Sequence, residues 1–226
     1  MKRRAVLAGA SSALLLGGCT DLLSGDEVTF EADTAVVPDQ VQSETDYQEQ
    51  RVEDMTIERD YDQVDRTVVV INRLAEYSNE VEIGPIGGEL ARFTVLSTPK
   101  VEVGPVGPLN PVNDMSEKEL AQKLQQEYGS VQNVQEVDER DVSMLGETVS
   151  VTKFSAEAET QGGQNVDVFL HIGKVEHEDD IVLAIGVHPQ RLEEQENVDT
   201  LMGGVEHPVS TGSDASENGT NDNSSA

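Results

Sequence analysis

The apolar residues of this chain recur in short alternating runs more often than in helical stripes. Val166, Val168, Leu170 and Ile172 take every second position, which predicts a strand with one buried face. Ile181 to Val187 is almost continuously apolar and reads as a central strand. Between these two, Glu176-His177-Glu178-Asp179-Asp180 reads as the solvated turn of a hairpin. Arg66 to Val81, with Val68-Val69-Val70-Ile71, Leu74 and Tyr77, predicts another strand. Ala91, Phe93 and Val95 alternate with Arg92 and Thr94 in a further one. Val149 and Val151 open a strand whose apolar phase then moves to Phe154, Ala156 and Ala158, the shift that a bulge produces.

Helical spacing appears in three places. Ser116 and Glu119 form a capping box, Leu120, Leu124 and Tyr128 follow along one face, and Gly129 provides a stop. After Pro189, residues Val198, Leu201, Met202 and Val205 stand at i, i+3, i+4 and i+7. A weaker third helix starts at Pro38. Val81-Glu82-Ile83-Gly84-Pro85-Ile86-Gly87 recurs as Val101-Glu102-Val103-Gly104-Pro105-Val106-Gly107, which places a strand between two similar loops. These loops fail as a phosphate cradle, because proline removes N–H donors and no Gly-Lys-Ser/Thr follows. The elements together predict a single α+β domain over residues 28–207, an antiparallel sheet packed with two or three helices.

Both ends lack this patterning. Lys2, Arg3 and Arg4 precede an uncharged stretch from Ala5 to Gly18, too short and too rich in glycine to span a bilayer. Residues 1–18 therefore read as a signal peptide, and Arg3-Arg4 fits either the twin-arginine or the general export route. Leu16-Gly17-Gly18-Cys19 resembles the lipobox of prokaryotic lipoproteins. That resemblance makes Cys19 the lipidation site and residues 19–27 a lipidated tether on the extracytoplasmic face of the cell membrane. Cys19 is the only cysteine, so with its thiol lipidated no disulfide braces the fold. Residues 208–226 read as a disordered polar tail, with acceptor patterns at Asn218 and Asn223 whose glycosylation the sequence leaves open.

Charge narrows the function classes. Fifteen Lys and Arg stand against 44 Asp and Glu, a formal net charge of −29. Such an excess repels phosphate backbones, so no nucleic-acid partner is expected. It also strains a compact domain in dilute buffer, whereas in molar salt the Debye length falls to about 3 Å. The composition reads as adaptation to a very salty medium.

Candidate chemistry is sparse. His171, His177, His188 and His207 stand apart with no zinc-ligand spacing. His171 reads as a packing or surface residue of its strand, and His188 and His207, each before a proline, mark element ends. No Gly-x-Ser-x-Gly elbow occurs, and the many carboxylates give no specific pair for glycoside hydrolysis. No catalytic residue, cofactor or metal ligand is expected.

The lipobox, Phe30-Glu31-Ala32, Phe93 to Val101, the helix from Met115-Ser116, Leu145-Gly146-Glu147-Thr148 and Leu170-His171-Ile172 are together similar to an uncharacterised haloarchaeal lipoprotein family. The order of elements also resembles PsbP-like sandwiches, which implies helices on an antiparallel sheet and an accessory-subunit role. The expected function is a non-catalytic accessory or binding module at the cell surface, beside a membrane-protein partner. The alternatives are a carboxylate-dependent extracytoplasmic hydrolase and a solute-binding lipoprotein, although two-lobed binding proteins are typically longer. Salt adaptation predicts that far-UV circular dichroism loses its folded signal as salt is diluted from molar to millimolar. Full stability at low salt would contradict it.

Overall fold

The computed structural model describes residues 27–61, 66–83, 86–101, 110–127, 131–159 and 163–209. The signal peptide, Cys19, the tether to residue 26, Gly84-Pro85, residues 102–109, Tyr128, Gly129 and the tail from residue 210, with Asn218 and Asn223, lie outside that set. The strands are β1 (Glu27–Glu31), β2 (Thr34–Val36), β3 (Gln48–Tyr61), β4 (Arg66–Ile83), β5 (Ile86–Pro99), β6 (Val131–Met144), β7 (Glu147–Glu159), β8 (Asn165–His177), β9 (Asp180–Pro189) and β10 (Glu206–Val209). The helices are α1 (Asp39–Thr45), α2 (Pro111–Asp114), α3 (Glu117–Glu127) and α4 (Gln195–Gly203).

The expected α+β class, and the PsbP-like sandwich with it, is overturned. Among the described residues about two-thirds are strand and under a fifth helix, built on one mixed sheet of eight strands. Its order is β1-β4-β5-β9-β8-β7-β6, with β3 also on β4. β1 runs parallel to β4 while the other pairs are antiparallel. β4 carries β3 along one edge, and β1 and β5 lie end to end along the other. Strand content was understated for a physical reason. β3 is exposed from Gln48 to Asp60 and most of β6 is exposed as well, so neither needs the apolar alternation that betrays a half-buried strand.

Both faces of the sheet bury apolar residues. Tyr77, Phe93, Val95, Val151 and Ala184 pack with Val198, Leu201 and Met202 of α4 and with Ala35 and Val37 near β2. On the other face Phe154, Leu170, Ile172 and Leu183 meet Leu120 and Ala121 of α3. This explains the phase shift in β7: Val149 and Val151 serve the first cluster and Phe154 the second. β7 keeps unbroken register with β8 from Val151 to Glu159, so β7 needs no bulge. The irregularity sits in β6, where two residues are skipped within Gln132–Gln135 and one within Glu136–Asp138.

Several local expectations hold. Ser116 N–H donates to Glu119 at 2.9 Å and Glu119 N–H donates back to Ser116 Oγ at 3.3 Å, completing the capping box. These bonds hold the Glu119 carboxyl below its usual range. β8 and β9 form the hairpin, but its turn is only Glu178-Asp179, with Glu178 at φ 52°. His177 thus belongs to β8 and Asp180 to β9, and Asp180 is buried rather than solvated. The β6–β7 turn uses Leu145 at φ 53° and Gly146 at φ 81°, the left-handed pair that two-residue hairpins favour.

α4 seats on the sheet over Gly186. A Cβ there would come within 2.7 and 2.9 Å of the two Val198 methyls, closer than real contacts allow. Gly186→Ala should therefore cost about 1–3 kcal/mol from overpacking. Val198→Ala in the same chain should recover part of that loss. Denaturant midpoints in molar salt measure both, and an unchanged midpoint for the single variant would refute the close seating.

Candidate functional site

The four histidines, isolated in sequence, form two pairs in space. β8 supplies His171 and His177, β9 supplies His188 and β10 supplies His207. His171 and His188 approach Nε2 to Nε2 at 3.0 Å. His177 and His207 approach Nδ1 to Nδ1 at 2.9 Å. No short-range spacing could have shown this, because each pair depends on tertiary placement and β10 is a four-residue strand.

The second pair adjoins a buried polar node. Asp180 Oδ2 accepts Asp33 N–H at 2.7 Å, faces His207 Nε2 at 3.0 Å and accepts Ser97 Oγ at 3.3 Å. Ser97 is 0% exposed, Asp180 3% and His207 8%. A carboxylate only accepts, so the ring nitrogen facing it carries the proton. The two Nδ1 atoms of His177 and His207 share one proton, one ring donating and the other accepting.

Serine, histidine and aspartate are the residue types of a hydrolytic relay, but the wiring differs. A relay needs the carboxylate and the hydroxyl on opposite ring nitrogens. Here Ser97 Oγ lies 3.3 Å from the same Nε2 that faces Asp180. Ser97 is also sealed from any substrate. The node instead ties together four segments: the β1–β2 link at Asp33, the end of β5, the start of β9, and β10. Lys100 fixes the neighbouring hairpin tip, donating its backbone N–H to Asp179 and its Nζ to Glu178 at 2.9 Å each.

The first pair is more enclosed. His188 Nδ1 lies 3.1 Å from the Pro189 carbonyl, so it donates there and leaves Nε2 to accept from His171. His171 Nδ1 is then buried without a partner, as is Arg140 Nη1. Burial pushes the His171 pKa down to about 2, and the charges of Arg140, His188 and Lys153 reinforce it. Burial lowers His188 as well. Asp199 of α4 binds Arg140 through Nε at 3.0 Å and through Nη2, and Gln195 accepts Lys153 Nζ at 3.0 Å. These contacts fasten α4 to β6 and β7 through polar groups.

An open polar depression lies elsewhere, lined by Asp39, Gln42, Ser43, Asp46 and Asn79 among others, and reaches neither histidine pair. Among the described residues no three His, Cys, Asp or Glu side chains converge as a metal cage. No described helix is long and apolar enough to cross a membrane. Residues 34–206 match the family model for a domain of unknown function, DUF6517. No curated protein matches the chain.

The His171 geometry sets a pH dependence. Its folded pKa lies below the unfolded value near 6.5, so below about pH 6.5 the unfolded chain takes up a proton that the folded chain refuses. Stability should fall with pH there, with His171 contributing about 1.4 kcal/mol per unit. His171→Gln keeps a donor toward His188 and removes the titration. Its unfolding free energy should decline less steeply than that of the parent between about pH 6 and 4. Equal slopes would contradict the assignment.

Proposed function

The chain belongs to the DUF6517 family, a domain of unknown function, and we propose that it acts as a non-catalytic accessory or binding module held at the cell surface by a lipid on Cys19. The observation that carries this reading is the sealed Ser97–His207–Asp180 node, whose polar groups fasten the fold and present no hydroxyl to a substrate. The lipobox at Leu16-Gly17-Gly18-Cys19 supports the anchor. The likeness to haloarchaeal lipoproteins and the net charge of −29 support a salty extracytoplasmic setting. β3 supports a binding role: among the described strands it pairs with β4 alone, and it exposes Val52, Met55 and Ile57.

An anionic surface gains nothing from acidic headgroups, and a single acyl chain binds membranes only marginally. The lipid on Cys19 is therefore of the two-chain kind, or a membrane partner shares the anchoring. Cell fractionation tests this: Cys19→Ser should move the protein from the membrane fraction to the soluble one. A variant that stays membrane-bound to the same extent refutes the lipid anchor. Affinity capture from solubilised membranes should then recover a stoichiometric membrane protein. Turnover of a polymer by the purified protein, abolished by a single Asp or Glu substitution, would overturn the non-catalytic reading.

A further inference from the structure

β3 and β6 are the long edge strands of the large sheet, and they are built differently. β6 is interrupted twice, and its exposed Val137 is the residue skipped between Glu136 and Asp138. Such bulges spoil an edge for further pairing. β3 instead keeps unbroken register on β4 from Arg51 to Tyr61, and it exposes Val52, Met55 and Ile57. We propose that β3 is a self-pairing edge: two copies of this chain join β3 to β3, antiparallel about a two-fold axis at Thr56, into one continuous sheet.

Charged residues on an edge strand ordinarily deter pairing, so their order decides the matter. With Thr56 opposite its own copy, Met55 faces Ile57 of the second copy, and Glu53 faces Arg59 of the second copy. The two-fold axis makes each of these pairs twice, and all four residues lie on one face of the strand. The neighbouring symmetric registers lose this match. An axis at Met55 sets Arg51 against Arg59, and an axis at Ile57 sets Asp54 against Asp60. Thr56 is also the midpoint of the unbroken stretch from Arg51 to Tyr61, so the matching register is the one that uses the whole straight edge. Its like-charged pair, Asp54 with Glu58 of the second copy, is relieved because Arg73 already binds Asp54.

The dimensions suit a stable contact. The edge from Arg51 to Tyr61 is roughly 35 Å long. An antiparallel pair of that length makes about ten backbone hydrogen bonds, the number that a typical specific interface carries. The apolar row runs inward from the edge as well, since Ile57 lies beside Val70 of β4 and Val70 beside Phe30 of β1. Repulsion between two acidic chains is screened beyond about 3 Å in molar salt. The inference goes beyond the surface-module reading and needs neither a lipid nor a membrane partner, so a monomer would leave that reading standing.

Sedimentation velocity of the purified, detergent-solubilised protein in molar salt should show a concentration-dependent dimer. Glu53→Arg sets like charges opposite Arg59 of the second copy and should raise the dimer dissociation constant about tenfold, with an unchanged circular dichroism spectrum. Adding Arg59→Glu to the same chain should restore the dimer. A short thiol cross-linker should join two copies of Thr56→Cys and leave Val137→Cys, on the opposite edge, uncoupled. A monomer at every soluble concentration, a dissociation constant unmoved by Glu53→Arg, or equal cross-linking of the two cysteine variants would each overturn the self-pairing. A monomer that takes up a strand of another protein at β3 would overturn it too.

Discussion

A carboxylate taken out of water must be given hydrogen-bond donors, and much of this architecture meets at the one that is buried among the described residues. Asp180 lies at the first residue of β9, and its Oδ2 draws in a backbone N–H, a hydroxyl and an imidazole. Removing one donor leaves a buried acceptor short of a partner, a loss of about 1–3 kcal/mol. The donors come from segments remote in sequence, so the requirement acts as a geometric constraint on the whole domain. It holds the β1–β2 link and β10 against the end of the large sheet. Tyr77 adds a second tie on the same side, accepting Val37 N–H through its hydroxyl at 2.8 Å.

The remaining polar groups near the core follow the same logic on a smaller scale. α4 contributes three apolar residues to the core cluster, and its outer residues Gln195 and Asp199 clasp Lys153 and Arg140. A nine-residue helix has little stability of its own, so it depends on these contacts and on its close seat over Gly186. Near it lie the buried, unsatisfied nitrogens of His171 and Arg140, where among the described residues burial has outrun hydrogen bonding.

The sequence disclosed whatever is governed by local periodicity. β4, β5, β7, β8, β9, the capping box at Ser116 and α4 were all legible, because each buries a regular stripe or carries a cap. β3 and β6 were not, since strands exposed along most of their length carry polar residues on both faces. The node was hidden for a different reason. Asp180 looks like one more acid in a polar turn, and only the two-residue length of that turn brings it inward. His177 and His207 become neighbours only when β10 folds back across the domain. Chemistry assembled from remote single residues leaves no spacing to read.

The sheet order carries a consequence for how the chain reaches this state. β1, β3, β4 and β5 join through pairings within the first half of the chain, and β6 to β9 form a meander within the second. Within the large sheet one antiparallel seam, β5 against β9, joins the halves, β10 pairs separately with β2, and β9 is the penultimate strand. Contacts of such long sequence separation form slowly, because the loop they close is large. The emerging chain thus holds an unfinished half-sheet whose β5 edge waits for residues 180–189, and only their arrival turns two open sheets into one.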